Sequence, residues 1–148
     1  MKKKGFTLIE LLIVIAIIAV LSMISVPSLM KMLAKSKRTE AYLYLRTLAQ
    51  AQKVHFAEHG VYTTQLNGAS GLGWEPEGSF LYTYGFPGGA GETHFIGQSK
   101  VPAAALQGAS ISFHGFVLYA AGKIYGEKLD IISLDHAHVF TVVSDALV

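Results

Sequence analysis

The chain has 148 residues, enough for one small domain and a helix that extends beyond it. Only 15% of the residues are charged, and 51% are hydrophobic. Its formal net charge of +2 depends on Lys2, Lys3 and Lys4, because without them nine basic side chains face ten acidic ones. This balance excludes the positive field that is typical of a nucleic-acid-binding protein.

An apolar segment begins at Phe6, directly after the three lysines and Gly5, and runs to Val26. Only four of its residues are not apolar, namely Thr7, Glu10, Ser22 and Ser25. As a helix the segment would extend about 31 Å, which is the thickness of the hydrocarbon core of a bilayer. The lysines before it predict that the N-terminus starts on the cytoplasmic side.

The apolar segment has two simple interpretations, a secretory signal peptide and a plain membrane anchor, and neither accounts for all of its features. A secretory signal peptide is disfavoured because the apolar run is long and no Ala-x-Ala site follows it. A plain membrane anchor leaves Glu10 unexplained, since a carboxylate at the bilayer centre costs about 2.5–3.5 kcal/mol on insertion scales. Thr7 and Glu10 also have the spacing of a capping box, so a purely local role for Glu10 stays open.

Residues 2–10, read as Lys-Lys-Lys-Gly followed by Phe-Thr-Leu-Ile-Glu, resemble the class III signal of type IV pilins and of type II secretion pseudopilins. The resemblance implies cleavage between Gly5 and Phe6 by a prepilin peptidase and N-methylation of Phe6 by the same peptidase/methyltransferase. It also implies that Glu10 pairs with the terminal amine of a neighbouring subunit during assembly. Pro27 stands where the family has a helix-bending proline.

The resemblance implies an α+β fold, the pilin fold, in which a long kinked N-terminal helix packs on a C-terminal antiparallel sheet of 3–4 strands. We therefore divide the chain into a cleaved leader (1–5), a transmembrane or filament-core half of the helix (6–27), an amphipathic half (28–59) and a globular sheet domain (60–148). Pro27 predicts a kink or local melting, because proline removes a backbone hydrogen bond and clashes with the preceding turn.

The second half of the predicted helix begins with a basic cluster of Lys31, Lys35, Lys37 and Arg38, which we interpret as a solvated collar facing phospholipid. One face then carries apolar residues at helical spacing and should hold the sheet. Its members are Ala41, Tyr44, Leu45, Leu48, Ala51, His55 and Phe56. Leu43, Val54 and Ala57 lie on the opposite side, which favours burial in an assembly.

Gly60 predicts the end of the helix, directly after His59. Ala57, Glu58, Gly60 and Tyr62 match an Ala-Glu-x-Gly-x-Tyr pattern, so this stretch resembles the helix end and first loop of type IVa pilins.

The remaining residues read as loops and antiparallel strands. Aromatic residues alternate along residues 80–86 and predict a strand whose face packs on the helix. Residues 87–91 read as a glycine-rich loop, 94–96 as a short strand and 102–106 as one helical turn. Further strands are predicted at 112–120 and 139–143, whereas 129–134 is either a strand or an extended loop.

Catalytic and metal-binding patterns are scarce. His136 and His138 would share one strand face, but a zinc site needs three or four converging ligands. Glu127, Asp130 and Asp135 are candidate calcium ligands, although they lack EF-hand spacing. The chain has no cysteine, and no Ser, His or Asp constellation suggests covalent catalysis. We therefore predict no enzyme activity, no cofactor and no metal.

The function that the resemblance implies is that of a structural subunit of a type IV pilus, which serves motility, adhesion or DNA uptake. The expected partners are further copies of the chain in a helical filament, the prepilin peptidase/methyltransferase, an inner-membrane assembly platform and, before assembly, the membrane. The predicted location is the bacterial inner membrane and then the extracellular pilus. The alternatives are a pseudopilin of a type II secretion system and a membrane-anchored binding domain unrelated to filaments.

Overall fold

The computed structural model describes residues 5–89 and 92–148. The chain divides into two compact units between Leu33 and Ala34, and each is described by itself. The four residues of the predicted leader that precede Gly5 lie outside the described residues. The same holds for Ala90 and Gly91 of the predicted glycine-rich loop.

The first unit consists mainly of the apolar part of helix α1, which runs from Leu8 to His59. Phe6 and Thr7 precede the helix, whereas the sequence predicted that it starts at Phe6. The helix continues through Pro27 without interruption, so the chain does not melt there, and the predicted bend stays a prediction. The side chains from Phe6 to Leu33 are exposed, and the segment is long and apolar enough to cross a membrane.

The second unit begins with the rest of α1, whose buried face is close to the predicted one. The buried residues of this face are Ala34, Ala41, Leu45, Leu48, Ala49 and Gln52. Leu43 and Val54, predicted to lie on the opposite side, are 60% and 49% exposed. Gly60 follows the helix with φ +74°, the left-handed conformation that ends helices and that glycine adopts without strain.

Beside α1, the described residues of the second unit form an antiparallel sheet of six strands, which confirms the α+β fold. The strands are β1 (Thr83–Gly85), β2 (His94–Phe95), β3 (Ser110–Ser112), β4 (Gly115–Gly122), β5 (Asp130–Asp135) and β6 (Phe140–Ser144). Their order is β2-β1-β4-β5-β6, and β3 pairs with β4 beside this path. The sheet has more strands than the predicted 3–4, because the three-residue β3 was not predicted as a separate strand and β5 lies in a stretch that was left open between strand and loop.

Two strand predictions need correction. The predicted strand at 112–120 is in fact the hairpin of β3 and β4, in which Phe113 and His114 form the turn. Only Thr83–Gly85 of the predicted strand at 80–86 is paired in the sheet. Residues 129–134, left open between strand and loop, correspond to β5, and the helical turn is a 3-10 helix at Ala103–Leu106.

The core of the second unit lies between the helix and the aromatic strand face. Tyr82, Tyr84 and Phe86 are buried in the same cluster as Leu45 and Leu48 of α1. Burying a large apolar side chain stabilises a fold by about 1.5–3 kcal/mol, so these residues hold helix and sheet together. The predicted packing of the aromatic face on the helix is confirmed.

Candidate functional site

A capping box forms at the start of α1. The backbone N–H of Thr7 donates to Glu10 Oε2 at 2.8 Å, and the Thr7 hydroxyl donates to the same oxygen at 2.7 Å. In return, the backbone N–H of Glu10 donates to Thr7 Oγ1 at 3.3 Å. The local role that the sequence left open for Glu10 is therefore present in the isolated chain.

The Glu10 carboxylate still has one oxygen that the box does not use. Both hydrogen bonds that it accepts end on Oε2, and no described residue donates to Oε1. The side chain is exposed, and Phe6 beside it is 81% exposed. Capping therefore leaves the carboxylate accessible to a second donor.

The predicted processing and assembly residues do not all meet in one place. Gly5, Phe6 and Glu10 lie within one short stretch at the start of the first unit, and Gly5 is exposed ahead of the helix. Pro27 lies 17 positions beyond Glu10 in the same helix, which corresponds to about 25 Å along the axis. Pro27 therefore belongs to a separate place on the helix, not to the N-terminal site.

The prediction that Arg38 belongs to a solvated collar is wrong. The Arg38 side chain is only 13% exposed, and its guanidinium contacts two carboxylates of the second unit. Nε donates to Asp130 Oδ2 at 3.1 Å, and Nη2 donates both to Asp130 Oδ1 and, at 2.5 Å, to Asp145 Oδ1. Lys31, Lys35 and Lys37 are exposed as predicted.

Asp130 lies at the centre of this buried charge cluster. Besides Arg38, it accepts hydrogen bonds from the Tyr82 hydroxyl at 2.7 Å and from the Ala146 N–H at 3.2 Å. Asp130 is fully buried, and its partners compensate the loss of hydration. Burial and the bond to Asp130 raise the pKa of Tyr82 well above its usual range.

The three candidate calcium ligands do not converge. Glu127 pairs with Lys123 at 2.6 Å, which lowers its pKa, and Asp135 accepts the Val139 N–H at 2.8 Å. Asp130 is occupied by Arg38. Within residues 5–89 and 92–148, no group of three His, Cys, Asp or Glu side chains is placed to hold a metal ion.

The predicted shared strand face of His136 and His138 is wrong, because both lie in the turn between β5 and β6. His138 has a left-handed backbone with φ +62°, and its Nε2 lies 2.6 Å from Lys53 Nζ. This arrangement links the turn to α1 and provides no zinc site.

Two polar anchors of the fold escaped the sequence analysis. Gln52 is buried, and its Oε1 accepts the Thr63 N–H at 3.2 Å while its Nε2 donates to the Thr63 carbonyl at 2.5 Å. Glu40 Oε1 accepts the Leu81 N–H at 2.8 Å and the Tyr84 hydroxyl at 3.0 Å. The positions of Gln52 and Glu40 on the sheet-facing side of the helix are the one signal that could have indicated them.

An exposed apolar helix that is long enough to cross a membrane, with a capped glutamate near its start, precedes an α+β unit, and these features together define an α+β protein with one candidate membrane span. Residues 1–26 match the family model of the prokaryotic N-terminal methylation motif.

The chain is also 36% identical over 115 residues to the type IV major pilin protein PilA of Myxococcus xanthus (strain DK1622). The match covers 78% of this chain and 51% of that protein, so the chain spans about half the length of this relative. Together the methylation motif and this identity support a type IV pilin, which confirms the resemblance seen in the sequence.

Proposed function

We propose that the chain is a structural, non-catalytic subunit of a type IV pilus, anchored in the inner membrane as a precursor and then built into an extracellular filament. The observation that carries this proposal is the apolar surface of the first unit, where the side chains from Phe6 to Leu33 are exposed. Lipid covers such a surface before assembly, and the helices of further copies cover it in the filament.

Processing would create the second half of the assembly site. Cleavage between Gly5 and Phe6 by a prepilin peptidase leaves a free amine on Phe6, and methylation keeps that amine basic. A positive amine attracts a carboxylate most strongly where water is excluded. Among membrane helices the amine of one subunit would therefore stabilise Glu10 of its neighbour.

Capping and pairing are compatible in this proposal, because they use different oxygens of Glu10. Oε2 accepts the two hydrogen bonds from Thr7, and Oε1 is left to accept from the amine of the neighbouring Phe6. The capping box would hold the carboxylate in one orientation, so less rotational freedom is lost when the pair forms. The pair would set the register between adjacent subunits as they leave the assembly platform.

The test compares three variants in cells that make this chain as their only major pilus subunit. Glu10→Gln retains much of the cap, because glutamine also serves at this position of the box, but it removes the charge. Glu10→Ala removes both. Thr7→Ala removes the two hydrogen bonds of the Thr7 hydroxyl, retains the one from the backbone N–H and keeps the charge, which makes it the matched control.

Filaments are counted by electron microscopy, and the membrane level of each variant is measured alongside. We expect Glu10→Gln and Glu10→Ala to accumulate in the membrane with few or no filaments, and Thr7→Ala to assemble. If capping were the whole role of Glu10, Glu10→Gln would assemble and Thr7→Ala, which loses two of the three capping hydrogen bonds, would assemble less than Glu10→Gln. Normal numbers of filaments with Glu10→Ala would overturn the pairing role.

A further inference from the structure

The last four residues, Asp145–Val148, form a segment that is held mainly by polar contacts; we call it the C-terminal segment. Ala146 is 5% exposed, Leu147 is half-buried and Val148 is 93% exposed, so the segment buries little apolar surface. The Ala146 N–H donates to Asp130 Oδ1, and the Leu147 N–H donates to Asp145 Oδ1 at 2.8 Å. Ala146 and the partly buried Leu147 are the apolar residues of the segment that pack on the core, and burial of one small and one half-exposed side chain is a modest anchor.

Arg38 joins this segment to two other elements. Its guanidinium contacts Asp130 at the start of β5 and Asp145 at the start of the segment, so one side chain of α1 bridges both carboxylates. Arg38 is 13% exposed, Asp130 is fully buried and Asp145 is 34% exposed. Water and salt therefore screen this cluster less than they screen the pair of Lys123 and Glu127, whose side chains are 41% and 92% exposed. A bidentate guanidinium–carboxylate contact is also more directional than a lysine contact.

We propose that Arg38, Asp130 and Asp145 form an ionic clasp that fastens the C-terminal segment to helix α1, and that neutralising Asp145 releases the segment while the rest of the second unit stays folded. Ala146 and Ala34 belong to the same buried cluster. Release would therefore expose the core of the second unit near Ala34 of α1.

The groups around Asp145 determine how the clasp responds to acid. Arg38 of α1 contacts Asp145 directly, and Lys128 adds a further positive charge near it. Arg38 also contacts Asp130, which accepts the hydrogen bond of the Tyr82 hydroxyl. The hydrogen bond from Arg38 lowers the pKa of Asp145 below its usual value. The clasp is therefore complete above the ordinary aspartate pKa of about 3.9 and is lost as the pH falls through the lower folded value.

Hydrogen exchange of the full chain in detergent micelles tests the clasp, with the exchange of a free peptide of the same sequence as reference. We expect the amides of Ala146 and Leu147 in Asp145→Asn to exchange about tenfold faster than in the unmodified chain, because a neutral hydrogen bond replaces a charge-assisted one. Asp145→Ala should exchange faster still, since it also removes the acceptor of the Leu147 N–H.

Glu127→Gln is the matched control, because it removes an exposed ion pair elsewhere on the unit and should leave these amides unchanged. The amides of residues 41–52 in α1 should keep their protection in every variant. Acid should release the segment of the unmodified chain before it affects α1. Equal protection in Asp145→Asn and Glu127→Gln, or simultaneous loss of protection in the segment and in α1, would overturn the clasp.

Discussion

The hydrogen bond between Asp130 and Tyr82 predicts that substitutions of these two residues have non-additive effects on the free energy of unfolding. Asp130→Leu keeps a side chain that branches at the same carbon, although a larger one, and removes the acceptor for Arg38, for the Tyr82 hydroxyl and for the Ala146 N–H. Removing one partner of a buried ion pair costs about 3–5 kcal/mol, because the remaining groups lose both water and their partner.

Tyr82→Phe removes only the hydroxyl, which donates to Asp130 at 2.7 Å. A hydrogen bond to a charged group contributes about 1.5–3 kcal/mol, so the free energy of unfolding should fall by that amount. In the Asp130→Leu background the hydroxyl has already lost its acceptor, and Tyr82→Phe should then cost nothing or be slightly stabilising. The predicted coupling energy is therefore about 1.5–3 kcal/mol.

Urea unfolding followed by the fluorescence of Trp74 measures these differences, because Trp74 is the one tryptophan of the chain and is buried in the second unit. Tyr44→Phe is the control, since its hydroxyl donates to the Glu77 carbonyl at 2.8 Å and does not contact Asp130. It should cost the same amount in both backgrounds. An equal cost of Tyr82→Phe with and without Asp130 would refute the proposed cluster energetics.

Two further predictions concern the same unit. Leu48→Asp should unfold it, because Leu48 is fully buried. An unpaired buried charge costs several kcal/mol, which is comparable to the whole stability of a small domain. Retention of the native circular dichroism and Trp74 fluorescence would contradict this prediction. Burial raises the pKa of Tyr82 and of Tyr84. The free energy of unfolding should therefore fall as the pH rises above the ordinary tyrosine pKa of about 10. The absorbance of tyrosinate measures the ionisation, and ionisation of all tyrosines together near pH 10 in the folded chain would contradict the raised pKa values.

The capping box of Thr7 and Glu10 and the buried face of α1 could be predicted because their signals are local. The apolar run, the position of Glu10 and the Thr7–Glu10 spacing all lie within one stretch of sequence, and helix periodicity placed Leu45 and Leu48 on the buried face. The aromatic alternation that ends at Phe86 likewise predicted the side of the sheet that packs on α1.

Arg38 could not be assigned from its neighbours in the sequence. It stands beside exposed lysines, and its partners Asp130 and Asp145 lie 92 and 107 positions away. No pattern of local spacing indicates such a contact. The same reason explains why Asp130 was grouped with Glu127 and Asp135, which are close to it in sequence but have other partners in the fold.

The hairpin of β3 and β4 was missed because its turn lacks the usual signal. Two-residue hairpins are recognised by Asn-Gly or Gly-containing pairs, which adopt positive φ. The turn here consists of Phe113 and His114, and neither has a positive φ. An aromatic residue at 113 instead continued the apparent strand, although the structure leaves it 77% exposed.

The most direct test of the proposed function is the mass of the N-terminal peptide of the subunit in filaments sheared from the surface of cells that make this chain. The proposal predicts long filaments whose main protein contains this chain and whose N-terminal peptide begins at Phe6 and carries one methyl group. Filaments without this chain, or a mature N-terminus at any other residue, would contradict it.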